Sequence, residues 1–209
     1  MIIKTVFKND ILKSIFMAAR TCFNKGTFDD LEKEYSYYGS LKLFNTLLQH
    51  EHLSVFEHGI YQFTIENVSR SFLAQLSRHR IGISISVKSQ HYIKHSNFNY
   101  KNLETNNLMA INRYNKLMNK IEDTYNKLIS IDKLPHYIAR EVLPNSTYCN
   151  IFITINLRAL INFIKLRVGP ENTPEIRLFC KNLYKHIYSD EIQIMKAINE
   201  KYDFVSKFI

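Results

Sequence analysis

Between Tyr148 and Arg167 the chain changes its hydrophobic period without a break: YCNIFITIN runs directly into LRALINFIKLR, with neither Gly nor Pro between them. The first segment is rich in Ile, Phe and Thr and reads as a strand. In the second, Leu157, Leu160, Ile161 and Ile164 fall at i, i+3, i+4 and i+7 and form one apolar helix face. Arg158 and Asn162 stand one turn apart on another face. Breakers are scarce elsewhere too. Only 5 Gly and 4 Pro interrupt 209 residues, which argues for long regular elements without linkers or repeats.

IIKTVF reads as a first strand, and DILKSIFMAARTCF as a helix capped by Asp10. SLKLFNTLLQH is a second amphipathic helix, with Ser40 as its cap. GIYQFTIEN alternates as a strand does, VSRSFLAQLSRHR returns to helical spacing, and SISVKSQHYIK alternates again. NLMAINRYNKLMNKIEDTYNKLIS is a long helix. TPEIRLFCKNLYKHIYSDEIQIMKAI reads as one long final helix opened by Thr173 and Pro174. Helices outnumber strands and do not alternate with them as βαβ units would. The expected class is α+β, a small antiparallel sheet with long helices. The 45% hydrophobic content suffices for one core, so residues 1–209 are expected to form a single domain.

The formal net charge of +9 favours anionic partners, although a chain crowded with Lys, Asn and Ile carries part of that charge as composition. Cys22, Cys149 and Cys180 are few, distant and without a CxxC, which suits a reducing cytosol better than a disulfide scaffold. No apolar run is long enough to span a bilayer, and the N-terminus reads as a strand rather than a signal peptide.

Two stretches concentrate polar chemistry. HEHLSVFEHGIYQFTI brings His50, His52 and His58 close to Glu51 and Glu57. It has no HExxH, so a polar helix end before a strand is favoured over zinc. SRHRIGISISVKSQHY places three potential cations, Arg78, His79 and Arg80, side by side at a helix end. A helix C-terminus favours cations, which is one explanation. The other is an anionic ligand: Gln75 lies on the same helical face as Arg78, and Ser84, Ser86, Ser89, His91 and Tyr92 follow as donors suited to a phosphate or a planar heterocycle. Arg140 stands before EVLP and Arg167 ends its helix; each alone reads equally as a surface arginine.

Taken together, these pieces resemble the flavin-dependent thymidylate synthases, the ThyX family. RHRIGISISVKSQHY is similar to the family's RHRxxSxNxxSxRY. AARTCF, HLSVFEHGIYQFTI, REVLP and NLRALINFIKLR resemble further family blocks, in family order from about Ala18 to Ile176. The chain departs from the pattern in one extra residue after Arg80, in Ser86 for Asn, in His91 for Arg, in Cys22 for Ser, and in NTPEIR where Gln often precedes Glu.

The resemblance implies a ThyX-like catalytic domain that methylates dUMP to dTMP. Its co-substrates would be 5,10-methylenetetrahydrofolate and NADPH, and its cofactor FAD. His52, Ser54, Glu57, Arg78, His79, Arg80, Asn156, Arg158 and Asn162 would hold FAD. Gln75, Arg78, Ser89, His91, Arg140 and Arg167 would hold dUMP, with Arg167 as the catalytic residue and no metal. A cytoplasmic homotetramer with active sites shared between subunits is implied, without nucleic acid or membrane. No cysteine has an activating neighbour in sequence, consistent with a reaction lacking a thiol nucleophile. The alternatives are a related flavoenzyme acting on another uracil nucleotide such as UMP, and an RNA-binding module. The module has +9 and 13 Tyr in its favour but lacks an RNP-like motif, a KH loop or an arginine-rich tract.

Overall fold

The structure, a computed structural model, describes residues 1–93 and 98–208. Strands β1 (Ile2–Lys8), β2 (Ile60–Ser69), β3 (Ile83–Val87) and β4 (Tyr148–Asn156) form one antiparallel sheet in the order β1-β2-β4-β3. The class expected from the sequence is therefore found. Alternation sets the two faces of the sheet. Tyr61, Phe63 and Ile65 of β2 and Ile151, Ile153 and Ile155 of β4 point into the core. Phe63 lies opposite Ile153, which in turn lies opposite Ile85 of β3.

The helices are α1 (Ile11–Thr21), α2 (Phe28–Lys33), α3 (Tyr37–Gln49), α4 (Arg70–Leu76), α5 (Leu108–Ser130), α6 (His136–Ala139), α7 (Leu157–Arg167), α8 (Pro174–Asp190) and α9 (Ile192–Tyr202). No helix among the described residues is long and apolar enough to cross a membrane. Asp10 caps α1 as expected, its side chain accepting from the Lys13 N–H. β4 and α7 have the bounds read from the change of period. Asn156 serves both, as the last strand residue and as the N-cap of α7; its Oδ1 accepts from the Ala159 N–H at 2.8 Å.

Several expectations are corrected. The second helix begins earlier, at Tyr37, and Ser40 lies within it, buried one turn ahead of Phe44 and two ahead of Leu48. Helix α2 was not anticipated; Thr27 and Asp30 close a capping box around its short first turn. Helix α4 stops at Leu76, so Arg78-His79-Arg80 follows the helix rather than ending it. The alternation of SISVKSQHYIK outlasts its strand. β3 ends at Val87 because the Ser89 hydroxyl then accepts from the His91 and Tyr92 N–H groups and turns the chain. The last residue of that reading, Lys94, lies outside the described residues. The long final helix is two helices. Glu191, at φ −130° and ψ 53°, breaks the run and folds Ile194, Met195 and Ile198 of α9 back into the core.

One buried carboxylate joins the sheet to α8. Glu175, 7% exposed, accepts from the Ser69 N–H at 2.8 Å and from its hydroxyl at 2.5 Å, with the Lys101 ammonium at 3.5 Å. Ser69 Oγ in turn accepts from the Phe72 N–H at the start of α4. Glu175→Ala leaves the buried Ser69 N–H and hydroxyl without their acceptor, while Lys101 keeps Glu104 at 3.0 Å, and should cost about 3 kcal/mol of stability. Urea denaturation measures this, and an unchanged midpoint would show that the contact contributes nothing net.

Candidate functional site

Helix α7 separates two groups of polar residues. Arg158, Asn162 and Lys165 recur at i, i+4 and i+7 and share one face. They line a cleft of about 460 Å³ that also includes Glu57, Asn156, Gly82 and Tyr202. The Arg158 guanidinium donates to Glu57 Oε1 at 2.6 Å. Gly82 presses against the start of α7. Its φ is +72°, and a Cβ there would stand 2.6 Å from Asn156 Nδ2 and 2.8 Å from Ala159 Cβ. Its carbonyl accepts from the Asn156 N–H at 2.9 Å. Only glycine meets both demands, a left-handed backbone and contact without a side chain.

Arg167 lies nine residues beyond Arg158, about two and a half turns, and so faces the opposite way. Its Nε donates to His79 Nε2 at 2.9 Å, Nη1 to Asn172 Oδ1 at 3.2 Å, and Nη2 to the Gln75 carbonyl at 3.5 Å. The His79 ring packs edge-on against Phe163 at 4.8 Å. Burial, and after it the Arg167 charge, hold His79 below the ordinary imidazole range. It accepts at Nε2, so the neutral ring carries its proton on Nδ1. The basic triplet is thus divided. His79 turns inward, while Arg78 and Arg80 are exposed and make no ion pair or side-chain hydrogen bond among the described residues. The Gln75 side chain bonds Thr173 Oγ1 at 3.1 Å.

A third group gathers at the other end of β3. The His91 ring lies 5.1 Å from that of Tyr137 in α6, and Arg140 follows at the end of the same helix, with its Nε 3.6 Å from Glu141. Ser89 anchors the turn carrying His91. Five residues of β3 place this group roughly 16 Å from the basic triplet. Ser84 and Ser86 join neither group; they pair with Thr154 and Phe152 on the sheet face turned away from the core.

The residues expected to act together therefore fall into three places within one chain. Glu57, Asn156, Arg158 and Asn162 share the cleft, Gln75, His79 and Arg167 form the second group, and Ser89, His91 and Arg140 the third. His52 and Ser54 are exposed on the turn leading to Glu57 and do not line the cleft. The rings of His50 and His52 are 6.3 Å apart, and no group of three or more His, Cys, Asp or Glu able to hold a metal is gathered among the described residues. Lys165, Asn172 and Tyr202 were not anticipated. Lys165 was detectable as the third member of the Arg158 stripe. Asn172 follows Arg167 by five residues in the loop after α7 and so was within local reach, whereas Tyr202 has no local signal, because distant packing brings it in. Burial pushes the Cys149 thiol up, and that of Cys180 up to about 12; Cys22 is exposed.

The family model of the thymidylate synthase complementing proteins matches residues 4–190. A flavin-dependent thymidylate synthase of Geobacter sulfurreducens is 32% identical over 168 residues, covering 78% of this chain and 72% of the relative. The enzyme of that name from Clostridium tetani is 30% identical, with 83% and 81% covered. That of Saccharolobus solfataricus is 31% identical, with 87% and 70% covered.

The Arg167–His79 bond predicts a pH dependence. A histidine held below its unfolded pKa of about 6.5 binds fewer protons when folded. Stability then rises with pH through the window between the lowered value and about 6.5, and falls on acidification. His79→Asn should flatten that part of the profile. Equal slopes in urea titrations of the two proteins between about pH 5 and 7 would show that His79 is not held neutral in the folded protein.

Proposed function

This chain belongs to the family of thymidylate synthase complementing proteins, and from that premise we propose that it is a flavin-dependent thymidylate synthase with a ThyX-like fold. It converts dUMP to dTMP in the cytoplasm, with 5,10-methylenetetrahydrofolate as carbon donor and NADPH as reductant. The observation that carries the reading is the guanidinium of Arg167, held from three sides by His79, Asn172 and the Gln75 carbonyl. An arginine fixed in this way, with N–H groups to spare, is organised before its substrate arrives.

The cleft suits FAD in its chemistry. Its volume falls in the usual range for ligand pockets. Arg158, Asn162 and Asn156 offer donors along one wall, and Gly82 presents backbone without a side chain. Glu57, Asn156, Arg158 and Asn162 would hold the cofactor within the cleft, His52 and Ser54 at its approach, and Arg78, His79 and Arg80 against its anionic and planar parts. When bound and reduced, FAD would supply the hydride that completes the methyl group. Ser89, His91 and Arg140 bind the nucleotide phosphate, and Gln75, Arg78 and Arg167 its base. The Arg167 fork lies against the imide edge of uracil and favours the ionised ring, enriching C5 for attack on the methylene carbon. The raised thiol pKa values of Cys149 and Cys180 support a route without a cysteine adduct.

The placement of the groups supports a homotetramer with shared sites. Cleft and Arg167 lie on opposite faces of α7, and the phosphate group stands at the far end of β3. A ligand in one chain's cleft is therefore completed by Arg167 of another copy.

The direct test is to titrate the purified protein with FAD and assay dTMP formation from dUMP, with UMP as competitor. No binding at high micromolar FAD would remove the enzyme reading, and turnover of UMP instead of dUMP would change the substrate. Arg167→Lys keeps the charge but loses the fork. It should bind FAD normally and lose about 3 kcal/mol at the transition state, roughly a hundredfold in kcat. A kcat within about threefold of the unaltered protein would exclude Arg167 as the activating group. Co-assembled with Arg158→Ala chains, it should recover turnover that neither variant has alone. Absence of recovery in verified mixed assemblies would place each site within one chain.

A further inference from the structure

The family match ends at residue 190, yet the cleft draws a wall from beyond it. Tyr202 closes α9, and its neighbours fix its position. Lys201 donates to the carbonyls of Leu48 and Gln49 at 2.6 and 3.0 Å, and its ammonium lies 3.4 Å from Glu51. Asp203 then turns the chain through the left-handed region at φ 49° and ψ 55°. Phe204, fully buried, stacks on the Tyr202 ring at 5.6 Å and 14°. A ring held in this way loses little freedom when a ligand packs against it.

The charges of the cleft single out one side chain. Glu57 is matched by Arg158, and Glu51 by Lys201. Lys165 is exposed, and its ammonium lies over the Tyr202 ring, 5.6 Å from the centroid. It is the cation lining the cleft without a carboxylate partner among the described residues. Along α7 it stands about 10 Å from Arg158, at the end of the cleft away from Ile81 and Gly82.

We propose that Lys165 and Tyr202 form the adenylate-binding end of this cleft, with Tyr202 against the purine ring and Lys165 on the adenosine-side phosphate, which FMN lacks. The inference rests on the FAD reading above. Ile81 and Gly82, at one end of the cleft, directly follow the exposed Arg80, and the reading above sets Arg78 and Arg80 against the flavin, so the proposal puts the reacting ring at that end. The opposite end then receives the second ring of the dinucleotide. Lys165 and Tyr202 thereby distinguish FAD from FMN, which has no adenylate.

The test is the affinity of the full-length protein for FAD, FMN and ADP, measured by flavin fluorescence and by competition. Lys165→Gln changes an exposed side chain and leaves the core untouched; Tyr202→Leu is checked by thermal melting. Each should weaken FAD by about tenfold, the order of one lost base-stacking or phosphate contact, and leave FMN unchanged. ADP should displace FAD from the unaltered protein and lose that ability in the double variant. FAD affinity unchanged in Lys165→Gln, or FAD and FMN weakened alike, would overturn the proposal while the unaltered protein still binds FAD. Failure of the unaltered protein to bind FAD would remove the reading on which the proposal rests.

Discussion

The junction of β4 and α7 governs the arrangement of the cleft and of Arg167. Asn156 ends the strand and caps the helix without an intervening residue, so the sheet dictates both the origin and the rotation of α7. Capping is worth about 1 kcal/mol in general. Here it also has a geometric effect, because Gly82 lies against the same side chain and no other residue type fits between. Burial of Leu157, Leu160, Ile161 and Ile164 settles which face turns inward. Arg158, Asn162 and Lys165 then line the cleft, and Arg167 emerges on the other side beside His79. A rotation of α7 by one residue would move all four together.

The electrostatics divide along the same line. Arg158 and Glu57 are each about half exposed, and such a pair contributes roughly 0–1 kcal/mol, so it opens for a ligand at little cost. Arg167 is different. Its three partners include a carbonyl and a neutral imidazole, and none bears a negative charge. The guanidinium keeps its full charge for an incoming anion and is still held in direction. This accounts for the adjacent cations of the basic triplet. His79 escapes mutual repulsion by remaining neutral, and Arg78 and Arg80 by standing in solvent.

The legible parts of this fold were those whose period is local and uninterrupted. β4, α7 and the long helix α5 match their sequence readings because alternation or a 3.6-residue repeat continues to a recognisable cap. The failures have particular causes. Ser40 looked like a cap, but burial beside Phe44 and Leu48 recruited it into the helix. The apolar repeat through residues 174–198 hid the break at Glu191, since both helices bury the same kinds of residue and nothing local marks the reversal. For the candidate site, the sequence singled out side chains but not all of their grouping. The opposite faces of α7 follow from the nine-residue spacing of Arg158 and Arg167, whereas the meeting of His79 with Arg167 and of His91 with Tyr137 depends on tertiary packing.

The extra residue after Arg80 falls beside a strand whose register is strongly specified. Strand β3 has a half-buried face, Ile83, Ile85 and Val87, which packs against the core, while Ser84 and Ser86 point away. A slip of one residue would exchange these faces and expose three branched apolar side chains, so the register with Ile155, Ile153 and Ile151 is strongly specified. An added residue has to be absorbed outside the strand. The turn before it is where the chain has the freedom: Ile81 is 91% exposed, and Gly82 adopts a left-handed conformation that side chains disfavour. From Ile83 to Val87 the chain is fixed by its pairing with β4. The Lys88 N–H still reaches the Asn150 carbonyl at 2.9 Å, and Arg70 holds the Lys88 carbonyl at 3.3 Å. The turn carrying Ser89 and His91 therefore hangs from a strand whose position the core dictates.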